Sequence, residues 1–194
     1  MEHILEKLFE SVPKVRLLRL FARNPDQLLA FEDIVKRSQV KRPQARRELK
    51  KLLVLGLVKQ KTAKTPAGTR RTKVYFANTE FRLLPELQDI LTKDAVASRK
   101  KLLFRARGLG KIKLLVISGV FINNDTSRTD ILLVGDHIKQ AKLEKFLAEL
   151  ESEIGRSLYY TLMSSDEFAY RLDMYDRFLR DILEFPHEKV INKL

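Results

Sequence analysis

The sequence predicts an α/β (α+β) protein with two parts, a mainly helical half followed by a half built on a small mixed sheet. In the first half, helical patterns precede two strand-like segments, which are separated by a loop containing Pro66 and Gly68. In the second half, apolar strand-like runs alternate with amphipathic helices, as in α/β folds. The charge is also uneven, because residues 1–94 carry a net +10 and residues 95–194 carry +3.

Apolar spacing and helix-ending residues predict each helix of the first half. Residues 3–10 have helical spacing, and Pro13 suits the first turn of a helix that Asn24-Pro25 stops. Phe31, Ile34 and Val35 predict a short helix by their i, i+3, i+4 spacing. The helix after it begins near Pro43 and ends at Gly56. Its apolar stripe consists of Ala45, Leu49, Leu52 and Leu53. Strands are predicted at 57–62 and 72–77, and a helical segment at 81–106.

The second half predicts strands separated by helices. The strand-like runs are 111–118, 129–135 and 158–163, and a last short strand is expected at 189–192. Residues 137–155 form a strong amphipathic helical pattern, and residues 165–185 form a helical pattern that is broken in its middle.

Composition excludes several classes of protein. The chain has no cysteine, which excludes disulfides, thiolate zinc sites and cysteine nucleophiles. Its histidines, His3, His137 and His187, lack the spacing of metal ligands. No apolar run approaches the roughly 18 residues that a membrane span needs. The N-terminus lacks the apolar core of a signal peptide, so we expect a cytoplasmic protein with no membrane partner.

One segment holds most of the positive charge. Residues 36–73 contain 14 basic residues and a single acid, Glu48, so the remainder of the chain is close to neutral. A charge that only kept the protein soluble would be spread over the surface. This local excess favours an anionic polymer as the partner.

Residues 10–95 resemble a winged helix-turn-helix. The resemblance rests on the order helix, helix, helix, strand, basic loop, strand, and on the junction LLVLGLV at 52–58. It implies a DNA-binding regulator in which the leucine-rich helix enters the major groove of double-stranded DNA. The residues expected to contact DNA are Lys36, Arg37, Lys41, Arg42, Gln44, Arg46, Arg47, Lys50, Lys51, Lys64, Arg70, Arg71 and Lys73.

The position of each residue suggests its role. Arg42, Gln44 and Arg46 lie in the first turns of the helix, the part that meets base edges. Lys36, Arg37, Lys50 and Lys51 are expected to contact phosphates. The basic residues of the hairpin suit a wing that lies along the DNA backbone or in the minor groove. The alternatives are a solvated basic helix and an RNA partner.

Residues 108–194 resemble the nucleotidyltransferase fold of the DNA polymerase β superfamily. In that family a Gly-Ser turn follows the first strand and an Asp-x-Asp on the next strand helps to bind two metal ions. Here Gly119 stands near the turn, but Ser118 precedes the glycine and Val120 follows it. Asp130 matches the second aspartate, and Arg128 replaces the first. The third strand carries no acid. The resemblance therefore implies a degenerate site with no catalytic residue, no metal and no cofactor.

Two alternatives to that interpretation stay open. Asp125, Asp130 and Asp136 would form a metal site if the fold brought them together. An unrelated α/β hairpin would also show this pattern. The aromatic residues near the C-terminus interleave with Arg171, Arg177 and Arg180. They are Tyr159, Tyr160, Phe168, Tyr170, Tyr175 and Phe178. We interpret them as core, with a nucleotide-stacking surface as the alternative.

The sequence thus predicts a sequence-specific transcriptional regulator. Its domains are a winged helix at 1–80, a bridging helix at 81–107 and a nucleotidyltransferase-like domain at 108–194. A homodimer is expected, with the bridging helix as its interface. The C-terminal domain is expected to serve sensing, dimerisation or partner binding, with a nucleotide or a protein as candidate ligand. An active nucleotidyltransferase and a toxin–antitoxin component are the other functions considered.

Overall fold

The structure, a computed structural model, describes residues 4–64, 71–94, 99–124 and 127–194. The chain divides into two units. The first unit comprises Met1–Ala95 and Ala148–Arg156, and the second comprises Val96–Leu147 and Ser157–Leu194. Across the described ranges, no helix combines the length and the apolar character that crossing a membrane requires.

The first unit is a helical domain with a small antiparallel sheet. Its elements are α1 (Ile4–Leu8), α2 (Val12–Ala22), β1 (Leu29–Ala30), α3 (Phe31–Ser38), α4 (Arg42–Leu55), β2 (Val58–Lys64), β3 (Arg71–Ala77) and α5 (Leu84–Asp94). The sheet has the order β1-β3-β2. This confirms the predicted order of helices and strands, to which the structure adds β1, a strand of two residues.

Local chemistry explains where these helices begin and end. The Ser11 hydroxyl accepts a hydrogen bond from the Lys14 amide at 3.2 Å and caps α2, whose first turn holds Pro13. Gly56 ends α4 with a left-handed φ of 79°, and its N–H donates to the carbonyls of Leu52 and Leu53 in the last turn. The helix boundaries predicted at Pro13 and Gly56 are confirmed.

The core of the first unit is formed where α2, α3, α4 and α5 meet. The predicted stripe of α4 lies in it, with Ala45, Leu49 and Leu52 buried and Leu53 packed at its edge. The other fully buried contributors include Val15, Leu17, Phe21, Ile34, Leu57 and Leu91. The opposite face of α4 is therefore left to solvent.

The second unit is built on a mixed sheet. Its elements are α6 (Arg99–Ala106), β4 (Lys111–Ile117), a 3-10 turn (Gly119–Phe121), β5 (Ile131–Asp136), α7 (Gln140–Ile154), β6 (Tyr160–Met163), α8 (Ser165–Asp173), α9 (Arg177–Glu184) and β7 (Glu188–Asn192). The end of α7 belongs to the first unit. The strand order is β6-β5-β4-β7, with β5 and β6 parallel and the other pairs antiparallel. The predicted mixed sheet is confirmed.

The two central strands are buried along almost their whole length, as their continuous apolar sequences predict. On one face, Leu114, Val116, Leu132 and Val134 pack with residues of α8 and α9. Because β4 and β5 are the central strands of the sheet, they fix the position of the turn that connects them at one end of the sheet.

The helical segment predicted at 81–106 corresponds to α5 and α6. Its middle, residues 95–98, lies outside the described residues. Leu84 and Leu91 of α5 are buried in the first unit, whereas Leu83 and Ile90 are exposed. In the second unit, α6 buries Leu102 and Ala106 and exposes Phe104.

The interpretation of the C-terminal aromatic residues as core is partly wrong. Phe168 is buried, and Phe178 on α9 packs against the core. The exposed members are Tyr159, Tyr160, Tyr170 and Tyr175. Helical spacing was misleading because Phe168 takes the buried face of α8 and Tyr175 lies in the turn before α9.

Candidate nucleic-acid interface and the turn at Asp130

The exposed side of α4 is mainly cationic from Arg42 to Lys51, whereas Val54 and Leu55 at its C-terminal end are exposed apolar residues. The predicted DNA-contacting residues exposed there are Lys41, Arg42, Gln44, Arg46, Arg47, Lys50 and Lys51. A shallow groove of about 480 Å³ runs along this face between Arg42, Pro43, Arg46, Arg47 and Lys50. We use the term α4 face for the exposed residues Lys41, Arg42, Gln44, Arg46, Arg47, Lys50 and Lys51. A helix that presents guanidinium groups and an amide in this way suits the edges of bases in a major groove.

Two residues at the start of α3 support the arginines of the α4 face. The guanidinium carbons of Arg42 and Arg46 lie 6.0 and 5.4 Å from the centroid of the Phe31 ring. Arg42 also forms an ion pair with Glu32. These contacts restrict the rotamers of two long side chains before any ligand binds.

The turn between α3 and α4 is held by an arginine from α2. Gln39 adopts a left-handed φ of 51°, and Arg16 Nη1 donates to the carbonyls of Ser38 and Gln39 at 3.4 and 3.3 Å. Val40, which follows, is buried. The angle at which α4 leaves the turn is therefore fixed by hydrogen bonds to the backbone.

The ribbon of β2 and β3 carries cations on both faces. Lys64 lies opposite Arg71, and Thr62 lies opposite Lys73, so Lys64, Arg71 and Lys73 share one face. All three are exposed. The fourth predicted wing residue, Arg70, lies outside the described residues.

Some of the predicted DNA contacts have partners inside the protein. Lys36 is exposed on α3, but Arg37 is half-buried and donates to Asn24 Oδ1 at 2.9 Å and to Gln27 Oε1 at 2.5 Å. Arg37 therefore ties α3 to the end of α2, which is a structural role that its place in a charge run does not reveal.

Glu48 partly neutralises the α4 face from below. It is 1% exposed, and its Oε1 accepts from Arg47 Nε at 3.3 Å and from Lys51 Nζ at 3.0 Å. Arg47 and Lys51 are therefore less free to meet DNA than Arg46 and Lys50.

In the second unit, the Asp130 carboxylate is occupied by backbone amides. It is 2% exposed. Its Oδ1 accepts from the Val120 amide at 2.8 Å, and its Oδ2 accepts from the Tyr159 amide at 2.9 Å. One carboxylate thus joins the 3-10 turn after β4 to the chain entering β6.

Ser118 and Gly119 complete this turn. The Ser118 amide donates to the Asp130 carbonyl at 2.9 Å, and the Ser118 hydroxyl donates to the Thr129 carbonyl at 2.5 Å. Gly119 has a left-handed φ of 56°, and a Cβ placed on it would collide with Asp130 Oδ1. The glycine is needed because a carboxylate closes over it. Arg128 is half-exposed and pairs with Asp181 at 2.7 Å.

Two of the three acids considered for a metal site, Asp130 and Asp136, lie far apart. Asp130 precedes β5 and Asp136 ends it, which separates them by about 20 Å of strand. Asp136 instead accepts from the hydroxyl and the amide of Ser165, which lower the pKa of its carboxyl group. Asp125 lies outside the described residues. In the described part of the chain, no cluster of three potential metal-binding side chains is found.

Comparison with protein families bears on the first unit. Residues 15–62 match the IclR helix-turn-helix domain. The match runs from α2 through the turn at Gln39 and α4 into β2, and it contains the whole α4 face. These residues are therefore an IclR-type helix-turn-helix, a DNA-binding domain of transcriptional regulators. Searches of curated proteins and of solved structures found no match to the chain.

Sequence reasoning missed several residues of the IclR-type helix-turn-helix. Phe31 was used only for the apolar spacing that predicts a helix, and Glu32 and Arg16 were not singled out. Their partners are ten or more residues away, so no local pattern marks them. Lys59 and Lys61, on the second face of the ribbon, were detectable from the alternation in LVKQKT. Lys61 lies 5.3 Å from the Phe76 ring centroid, and Lys59 pairs with Glu80 at 2.6 Å.

Proposed function

We propose that the chain is a sequence-specific transcriptional regulator that binds double-stranded DNA through the α4 face. The observation that carries the proposal is the exposed cationic side of α4 within an IclR-type helix-turn-helix. In this arrangement α4 lies in the major groove. Arg42, Gln44 and Arg46 contact base edges, because they occupy its N-terminal turns.

The remaining cations set the position of the protein on the duplex. Lys36 on α3 and Lys50 on α4 are exposed and contact phosphates, which adds affinity without sequence preference. Lys64, Arg71 and Lys73 on the wing follow the DNA backbone beside the groove. The stacking of Arg42 and Arg46 on Phe31 lowers the entropy lost when the two side chains bind.

We further propose a homodimer on a palindromic site, since two half-sites multiply specificity. The bridging segment 81–107 supplies its interface. Leu83, just before α5, and Ile90 on α5 are exposed apolar residues, and they support this assignment. Phe104 on α6 is exposed in the same way.

The second unit is proposed to be a nucleotidyltransferase-like domain without enzymatic activity that senses a ligand. The hydrogen bonds of Asp130 support the loss of activity, because both of its carboxylate oxygens already accept from backbone amides. Arg128 adds a positive charge at the position where nucleotidyltransferases of the DNA polymerase β superfamily have a metal-binding aspartate. In place of chemistry, the domain transmits ligand binding or a partner contact to the DNA-binding unit.

Selection of bound fragments from sheared genomic DNA at physiological salt tests this function. We expect an enriched palindromic motif for the unaltered chain and loss of enrichment for Arg46→Ala. Arg180→Ala removes an exposed arginine of the second unit outside the bridging segment and serves as the matched control. Retention of DNA without any enriched motif would contradict sequence-specific regulation.

A further inference from the structure

A small cavity lies in the second unit beside the turn at Ser118 and Gly119 that the Asp130 carboxylate closes. We call this turn the Asp130 turn. Its volume is about 250 Å³, close to the lower end of the range of small-molecule sites. It is lined by Ser118, Ser127, Arg128, Arg177, Asp181, Ile182 and Phe185. The lining brings together the residue after β4, the chain just before β5, one side of α9 and the residue that follows α9.

The cavity has an excess of positive charge. Arg128 and Arg177 are balanced by only one lining carboxylate, Asp181, which pairs with Arg128 at 2.7 Å. Arg177 is exposed and has no ion-pair partner in the part of the chain that the structure describes. The neighbouring arginines differ, because Arg171 pairs with Glu167 at 2.8 Å and Arg180 pairs with Glu184 at 3.9 Å.

The chemistry of the lining suits one class of ligand. Guanidinium groups match the oxygens of a phosphate in a planar, two-bond geometry, and two of them border this cavity. The Ser127 hydroxyl adds a polar group, while Ile182 and the exposed Phe185 supply an apolar side. A metal ion is disfavoured here, since the one lining carboxylate is already paired with an arginine.

We propose that this cavity binds the phosphate group of a small organic phosphate monoester directly, without a metal ion. Arg177 contacts the phosphate first, and Arg128 exchanges its Asp181 partner for the ligand. The organic group lies against Phe185. This inference rests on the sensing role proposed above, and it names the ligand class for that role.

The exchange at Asp181 gives the proposal a distinctive signature. Asp181→Asn removes the carboxylate that competes for Arg128, so it is expected to tighten phosphate binding. A side chain that served only to stabilise the fold would not improve binding when changed. Arg177→Gln is expected to weaken binding about tenfold or more, because it removes a charge-assisted hydrogen bond.

Isothermal titration of the DNA-free full chain with inorganic phosphate and with phenyl phosphate tests the proposal. We expect binding of both, with phenyl phosphate the tighter, and loss of that preference in Phe185→Ala. Arg180→Gln is the matched control on α9, and Arg46→Gln reports any binding at the α4 face. Circular dichroism checks that each variant is folded. If Asp181→Asn does not fold, the comparison of Arg177→Gln with Arg180→Gln decides.

The proposal is overturned if the unaltered chain binds neither probe. It is also overturned if Arg46→Gln or Arg180→Gln weakens binding as much as Arg177→Gln. DNA affinity with and without phenyl phosphate then separates this proposal from the proposed function. DNA binding without phosphate binding leaves the regulator and removes the cavity's role, whereas phosphate binding without DNA binding does the reverse.

Discussion

The α4 face and the Asp130 turn each present charged groups that a sequence marks as functional, and their surroundings are opposite. Arg46 and Lys50 point to solvent, and Arg46 rests on an aromatic ring. The Asp130 carboxylate is buried, and both oxygens accept from backbone amides. The cations keep their capacity to bind a ligand, whereas the carboxylate uses its capacity within the fold. The hydrogen-bond partners of a charged group therefore distinguish a residue that can bind a ligand from one that stabilises the fold.

Removal of the Asp130 carboxylate should have the largest effect on stability. Asp130→Ala leaves the Val120 and Tyr159 amides without their acceptor. We expect the free energy of unfolding, measured in urea, to fall by about 2–4 kcal/mol. Asp173→Ala changes an exposed aspartate and should be nearly neutral. An Asp130→Ala protein as stable as the parent would show that the carboxylate does not stabilise the fold.

A methyl group at Gly119 should have the next largest effect. In Gly119→Ala the new Cβ meets Asp130 Oδ1, and the left-handed φ is costly for alanine, so we expect a loss of about 2 kcal/mol. Gly108→Ala is the matched control, because nothing lies within 4 Å of the position that its new Cβ would take. Thermal unfolding of both variants distinguishes them. Equal melting temperatures would contradict the close approach.

Removal of the Phe31 ring should have a smaller effect, which is expected in DNA affinity. Phe31→Leu keeps an apolar side chain at the core but removes the ring beneath Arg42 and Arg46. We expect DNA affinity to fall by about 0.5–1 kcal/mol, or roughly 2- to 5-fold. Fluorescence anisotropy with a selected duplex measures it, and Phe76→Leu, which removes the ring under Lys61, is the comparison. Unchanged affinity in Phe31→Leu would show that the arginines need no support.

The smallest effect concerns Asp136, whose pKa is lowered chiefly by the Ser165 hydroxyl. Ser165→Ala should raise that pKa, as followed by carbon NMR, with Ser157→Ala as the control. A lowered folded-state pKa stabilises the protein above the unfolded value of about 3.9, and this stabilisation is lost as the pH falls through the folded value. The stability difference between parent and variant should therefore shrink below about pH 4. An unchanged pKa would contradict the assignment.

Most of the fold was predictable because its signals are local. Pro13 and Gly56 mark a helix start and a helix end, and the apolar stripe of α4 predicts the face it buries. The continuous apolar runs of β4 and β5 predict central strands. In contrast, β1 has only two residues and exists because β3 lies beside it, so no local pattern could predict it.

The candidate sites were less predictable, because their geometry depends on contacts distant in sequence. The charge run predicted the α4 face, but it did not show that Arg37 turns inward to Asn24 or that Glu48 holds Arg47 and Lys51. The sequence led us to interpret the lone Asp130 as the remainder of a metal-binding site. Its structural role became visible only through amides 10 and 29 residues away.

The most direct test of the account is the salt dependence of DNA affinity for three forms of the full chain. They are the parent, Lys36→Ala/Lys50→Ala, and Lys142→Ala/Lys145→Ala, which removes the same charge from exposed positions of α7. We predict a slope of log affinity against log salt near −5 for the parent, as expected for about six neutralised phosphates. The first variant should lose about two units of slope and the second none. A parent slope near zero, or equal losses in both variants, would contradict binding through the α4 face.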